Sequence, residues 1–421
     1  MSLTVTGATL DGHEVGLRAE DGRIAELGPE ARPREGDEVI DAAGRVLLPG
    51  LWNAHTHAAM TLFRGYGDDM PLMEWLQKKI WPVEAELTDD DVYWGARLAC
   101  AEMIRSGTVG FWDMYWKPGA TARAASDSGL RAVIGAPLID GGDPGDDRKV
   151  DKLKSDIEEG LAELAGAGDK VSPALAPHAI YTVSEPSLRS IAERGAANEI
   201  PIHIHLSETE HEVSDCVAAH GVRPAAYLDR CGMLAPRTML AHGVWLDDSE
   251  LDLIAERGAT VVTNPVANLK LAVGGVFPYP AARSRGVSIG LGTDGAGTNN
   301  SLDMFEQMKF LALIQKHAAG DPTVAPAGQV WEIATGAQSA LVGASGKLAV
   351  GEPADFLLLS TTAPELSHGD LIAGLVYAAS GASVVDTTVV AGRVLMRGGH
   401  LDGLDEIRDR AFDQARRLGI T

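Results

Sequence analysis

Two kinds of hydrophobic periodicity divide this chain. Between residues 51 and 293, short apolar runs alternate with longer stretches whose apolar positions recur at helical spacing. The runs 51–57, 108–114, 131–138, 171–178, 201–206, 238–243, 259–264 and 287–293 predict eight strands. The segments 89–106, 119–129, 151–166, 184–198 and 247–257 predict amphipathic helices between them. Strands that read as near-continuous apolar runs, separated by helices, belong to parallel sheets covered on both faces. Eight such units in about 300 residues predict an α/β fold of the (β/α)8, TIM-barrel type.

The ends of the chain have a different texture. Leu3–Gly7, Glu14–Ala19 and Arg23–Leu27 alternate in polarity, and Asp21-Gly22 between two of them is a hairpin signal. Phe356–Leu359, Thr387–Gly392 and Arg393–Met396 repeat that texture near the other end. Residues 1–48 and 347–421 are therefore expected to form one small composite β-sandwich domain, with the barrel, 49–346, inserted between them. The charged stretch 403–418 predicts a C-terminal surface helix.

Composition narrows the function classes. Lys and Arg number 36 against 59 Asp and Glu, a formal charge of −23, which opposes nucleic-acid binding. No run reaches the roughly 18 apolar residues of a membrane span. The N-terminus lacks a basic segment followed by an apolar one, so a cytoplasmic protein is expected. Cys100, Cys216 and Cys231 show no paired short spacing, which argues for buried thiols rather than disulfides or a cysteine metal site. The acidic runs Asp89–Asp91 and Asp143–Asp147 read as solvated surface.

The candidate chemistry lies where the apolar runs end. His55 and His57 close the first predicted strand, His205 the fifth, His242 the sixth and Asp294 the eighth. In a barrel of this type the C-terminal ends of the strands carry the active site. Side chains two residues apart on a strand share a face, so His55 and His57 are able to grip one ion together. Imidazoles plus a carboxylate suit one divalent metal, Zn²⁺ foremost, although Fe²⁺, Co²⁺ and Mn²⁺ accept similar donors. His205 is preferred to His203 as a ligand because Glu208 then falls just beyond the strand end, within reach of substrate; His203 is assigned to the interior. The fourth strand ends at Ala176-Pro177-His178 and carries no lysine there, which favours one metal over a bridged pair. A single Lewis-acid ion lowers the pKa of bound water toward about 7. Glu208 is then the proton donor and acceptor, Asp294 both ligand and proton relay, and His242 either a ligand or a hydrogen-bonding partner at the reacting oxygen.

These residues, with Leu48–His57, Met60–Gly65, His205–Thr209, Asn264-Pro265, Asn268–Leu271, Gly292–Gly295 and Gly346–Asp355, resemble the amidohydrolase superfamily over nearly the whole chain. Within it they resemble the mononuclear deaminase and chlorohydrolase branch, and there the 5′-methylthioadenosine/S-adenosylhomocysteine deaminases. The resemblance implies metal binding by His55, His57, His205 and Asp294, with Glu208 shuttling a proton to a purine ring and His242 beside the reacting oxygen. It implies that Glu84 holds the ribose hydroxyls, that His178 contacts substrate and that Arg148 reaches the 5′ substituent. A second substrate arginine of that subgroup is replaced here by Ala136, which removes a charge-assisted contact to a homocysteine carboxylate. The expected reaction is hydrolytic deamination of an adenine nucleoside (adenosine, 5′-deoxyadenosine, methylthioadenosine or S-adenosylhomocysteine type), a small-molecule partner, in a chain that self-associates as relatives do. Guanine or 8-oxopurine deamination and s-triazine hydrolysis share the scaffold, and a non-enzymatic interaction scaffold is a third reading that the complete metal set opposes.

Overall fold

The computed structural model describes residues 2–141, 147–343 and 346–420. Its N-terminal strands are β1 (Ser2–Leu10), β2 (His13–Glu20), β3 (Arg23–Gly28), β4 (Glu38–Asp41) and β5 (Arg45–Pro49). The Asp21-Gly22 turn joins β2 to β3 with both residues at positive φ, 49° and 78°, as a two-residue hairpin of that sequence requires.

Ten short strands follow: β6 (Leu51–Thr56), β7 (Thr108–Met114), β8 (Arg131–Gly135), β9 (Pro137–Leu138), β10 (Val171–Pro173), β11 (Ala176–Pro177), β12 (Ile202–Leu206), β13 (Thr238–His242), β14 (Thr260–Thr263) and β15 (Ser288–Leu291). They pair in parallel in the orders β10-β8-β7-β6, β11-β9 and β12-β13-β14-β15. Two expected strands, 131–138 and 171–178, are each split in two. Pro137, Pro173 and Pro177 fall within them, and proline has no N–H for a ladder.

Backbone hydrogen bonds join the parallel runs on both sides. Leu175 N donates to Pro201 O and His203 N to Leu175 O on one side, while Thr293 N and Asp294 N both donate to His55 O on the other. The helices expected at 89–106, 119–129, 184–198 and 247–257 are present as Asp89–Arg105, Pro118–Ser128, Glu185–Asn198 and Asp248–Arg257. That at 151–166 begins earlier, as Asp147–Leu164.

The last strands, β16 (Phe356–Ser360), β17 (Val385–Val390) and β18 (Arg393–Met396), complete one eight-stranded sheet with the N-terminal ones. Its order is β18-β17-β16-β5-β1-β2-β3, with β4 pairing β1. That sheet has a core of its own, in which Leu3, Leu17 and Ile24 from one chain end meet Phe356, Leu358 and Val389 from the other. The C-terminal helix Leu404–Arg417 packs on the helical layer, where Ala411 and Ala415 join the cluster of Met60, Trp75 and Val92.

Its Arg417 corrects one expectation. Asp89 and Asp90 are exposed, but Asp91 is fully buried. The Asp91 carboxylate accepts from Thr88 in a capping box and pairs with Arg417. Of the other acidic run, Asp143–Asp147, residues 143–146 lie outside the described residues. Cys100, Cys216 and Cys231 are buried, free thiols, and no helix among the described residues is long and apolar enough to cross a membrane.

Candidate active site and metal centre

The strand ends bring the scattered polar residues together. The ring of His55 lies 4.9–5.4 Å, centroid to centroid, from the rings of His57, His203, His205 and His242. Asp294 Oδ1 is 3.4 Å from His55 Nε2 and 3.2 Å from His57 Nε2. One donor atom from each of His55, His57 and His205, and one from each of His55, His242 and Asp294, lie within 4.8 Å of one another.

Three imidazoles are fixed by the nitrogen that faces away from the centre. His55 Nδ1 is 2.8 Å from His203 Nε2, His57 Nδ1 donates to Met114 O (2.5 Å) and His205 Nδ1 donates to His178 O (2.7 Å). Their Nε2 atoms are left for the common centre. His55 Nε2 is buried and has no hydrogen-bond partner, an arrangement natural for a metal donor and costly otherwise. Outer partners of this kind orient ligating histidines in metal sites. The donor set therefore fits a divalent ion. His203, assigned to the interior, is fully buried and supports His55.

Electrostatics follow from burial and from Asp294. Burial pulls the imidazoles of His55 and His178 down to about 4, and those of His203 and His205 well below the usual range. Neutral imidazoles are the ligand form. At His57, burial acts in the same direction, but the hydrogen bond and charge of Asp294 outweigh it and raise the group to about 9. Burial opposes ionisation of Asp294 as well, yet the close approach of His55 and His57 holds it well below the ordinary carboxylate range. Its Oδ2 accepts from Thr298 Oγ1 at 2.8 Å.

Glu208 is 8% exposed, and burial raises its carboxyl, against the opposing influence of His242. Its Oε1 is 3.8 Å from His242 Nδ1, which is bonded to Asn268 Oδ1 at 2.8 Å. Three residues at these strand ends adopt the left-handed conformation without being glycine: Ser207 (φ 50°), His242 (φ 77°) and Asp294 (φ 61°). Such strained backbone concentrates at functional sites.

His57, His205, Glu208, His242 and Asp294 all line one cavity of about 560 Å³. Glu84 and His178 line it too. Glu84 comes from the segment 72–84, whose α-helical ends flank a π-helical turn at Leu76–Ile80, a local distortion frequent at functional sites. Its carboxylate accepts from Tyr115 Oη (2.8 Å) and Trp116 Nε1 (3.2 Å), and burial raises it despite both bonds. Tyr115, Trp116 and Thr298 were not singled out by sequence, and Asn268 entered only as part of a resembling segment. Trp75 and Trp81 also line the cavity, whereas Trp52 and Trp112 are core.

Arg148 is not brought in. It is exposed in the first turn of Asp147–Leu164 and does not line the cavity. No lysine or arginine does among the described residues. Ala136 lies in the break between β8 and β9, outside the lining.

The chain is 46% identical over 401 residues to a 5′-deoxyadenosine deaminase of Methanoregula boonei, covering 94% of this chain and 90% of that one. It is 44% identical over 412 residues to a 5-methylthioadenosine/S-adenosylhomocysteine deaminase of Archaeoglobus fulgidus, covering 96% and 95%. A crystal structure of an adenosine deaminase from Xanthomonas campestris with bound zinc superposes with a TM-score of 0.91 at 32% identity, over 100% of this chain and 99% of that one. The model of the amidohydrolase family matches residues 46–395, and the protein belongs to that family.

Proposed function

We propose that the protein is a metal-dependent aminohydrolase that replaces the 6-amino group of an adenine nucleoside by oxygen, releasing ammonia. The observation that carries this reading is that His57, His205, His242 and Asp294 of the metal-competent cluster line a single cavity with Glu208 and Glu84. The names of the relatives, deaminases of 5′-deoxyadenosine, of methylthioadenosine and S-adenosylhomocysteine, and of adenosine, support it.

One ion, zinc by preference, would be held by His55, His57, His205 and Asp294, and when bound it supplies a Lewis acid that makes water a nucleophile near neutral pH. Glu208, biased toward its protonated form by burial, gives a proton to ring N1 as water adds at C6. Asp294 takes one proton from the attacking water and passes it to the departing amine, and the second leaves the C6 hydroxyl for the Glu208 carboxylate, so a C–O bond forms, the C–N bond breaks and Glu208 regains its proton. His242, its Nδ1 held by Asn268, keeps Nε2 for the adding oxygen. Glu84 retains lone pairs beyond its bonds to Tyr115 and Trp116 and accepts the ribose hydroxyls, and His178 borders the base.

The end of the site that meets the 5′ group is proposed to be apolar. Leu72, Leu76, Ile80 and Ile139 contribute lining, and among the described residues the cavity has three carboxylates and no lysine or arginine to receive an anion. The fold reading goes one step further: the parallel runs are taken as parts of one eight-stranded barrel, 49–346, and the sheet of the chain ends as a sandwich-like second domain with its separate core.

A spectrophotometric screen following adenine to hypoxanthine absorbance tests the function. Adenosine, 5′-deoxyadenosine and methylthioadenosine are expected to turn over. S-adenosylhomocysteine and adenosine phosphates should have kcat/KM lower by about 10-fold or more, the scale of one missing charge-assisted hydrogen bond. Hydrolysis of free guanine or of s-triazines with no turnover of nucleosides contradicts the reading.

A further inference from the structure

Glu208 sits in a loop that ordinary capping would leave poorly held. Thr209 is the N-cap of helix Glu210–His220, accepting from Glu212 N, so Glu212 occupies the third helical position. In a capping box the carboxylate at that position returns to the backbone N–H of the cap residue. Two other helices do this: Asp91 bonds back to Thr88 N, and Glu250 to Asp247 N.

Glu212 reaches further. Its Oε1 accepts from Ser207 N (2.8 Å) and its Oε2 from Glu208 N (2.9 Å), the two residues before the cap. Ser207 is the one with φ at 50°, a conformation uncommon for a residue with a Cβ. Trp245 N donates to Ser207 O (2.9 Å) and fastens the same peptide from the other side.

Glu212 is 6% exposed and does not line the cavity, so it does not touch substrate. No lysine or arginine among the described residues pairs with it. A buried carboxylate without a cation is costly unless its oxygens are occupied by donors, and here both donors belong to the strained turn.

We propose that Glu212 is a positioning residue for the proton transfer, its carboxylate clamping the left-handed turn at Ser207 so that Glu208 projects into the cavity beside His242. The inference rests on Glu208 being the proton donor of the proposed reaction. Removing one bond of the clamp lets the turn relax, and misplacement of a reacting group by about 1 Å costs on the order of 100-fold. The ion is unaffected, because His205 is fixed separately through His178 O.

The test compares Glu212→Gln, Glu208→Gln and the double variant as zinc-loaded full-length enzymes on an adenine nucleoside. Glu212→Gln should lower kcat roughly 10- to 100-fold, with KM within about twofold and zinc still at one per chain. The double variant should be no slower than Glu208→Gln alone, since the clamp acts only through Glu208. Glu212→Asp keeps the charge but withdraws it by one methylene; it is read by the same criteria and stands in should the glutamine variant fail to fold. A kcat within twofold of the parent, zinc lost in step with kcat, or full additivity in the double variant overturns the proposal. Activity retained by Glu208→Gln overturns instead the reading it rests on, so the two failures are distinguishable.

Discussion

Glu208→Gln should lower kcat by about 10²–10⁴-fold, the usual scale of one general acid–base group, while the protein binds its metal as before. Glutamine keeps the shape of the side chain and removes the transferable proton. Glu208 lies just beyond β12, 3.8 Å from His242 Nδ1, and the centroid cluster around His55 is formed without it. Its pKa is raised first by burial, which favours the protonated acid that ring N1 needs. The sign of the pH dependence follows. In the parent enzyme the protonated fraction falls as pH rises through the elevated pKa, so the alkaline limb of kcat/KM should lie above the ordinary glutamate range and should be lost in the glutamine variant. Steady-state kinetics with parallel metal analysis checks both halves. A variant that turns over normally removes Glu208 from the mechanism.

Asp294→Ala should behave differently, losing turnover and metal together. Its Oδ1 stands 3.4 and 3.2 Å from His55 Nε2 and His57 Nε2, and it supplies the one carboxylate of the cluster. Without it the site presents neutral or mutually repelling imidazoles only. Turnover should fall at least as far as in Glu208→Gln, because the variant loses both the ion and the proton relay. Zinc affinity should fall by at least the 10–100-fold seen when mere outer partners of metal ligands are removed. Competition with a chelating dye, read alongside activity, separates this variant from Glu208→Gln. Unchanged zinc affinity would falsify the ligand role of Asp294.

Much of this site was legible in the amino-acid order because strands deliver ligands by a simple rule. His55 and His57 share a face through the two-residue period of a strand, and His205, His242 and Asp294 each stand at or just past the end of an apolar run. What could not be read depends on partners remote in sequence. The bonds of Asn268 to His242, Thr298 to Asp294 and Tyr115 to Glu84 arise only when loops fold over the strand ends. Asp91 looked like solvated surface because Arg417 lies 326 residues away. Arg148 was placed at the site by resemblance, and its helix keeps it outside the cavity wall. Backbone strain at Ser207, His242 and Asp294 left no compositional mark, since none of the three is glycine. The helix Met304–Ala319, which was not among the expected ones, did leave one: Asp303 caps it, and Met304, Met308, Leu311 and Gln315 recur at helical spacing on its buried side.

Stoichiometric reconstitution tests the central claim, that the chemistry needs one cation, held by His55, His57, His205 and Asp294, and no second. Protein stripped by a chelator should be inactive on adenine nucleosides. On titration with Zn²⁺, activity should rise linearly and break sharply at one equivalent per chain. A break at two equivalents, or full turnover by the stripped protein, contradicts the account.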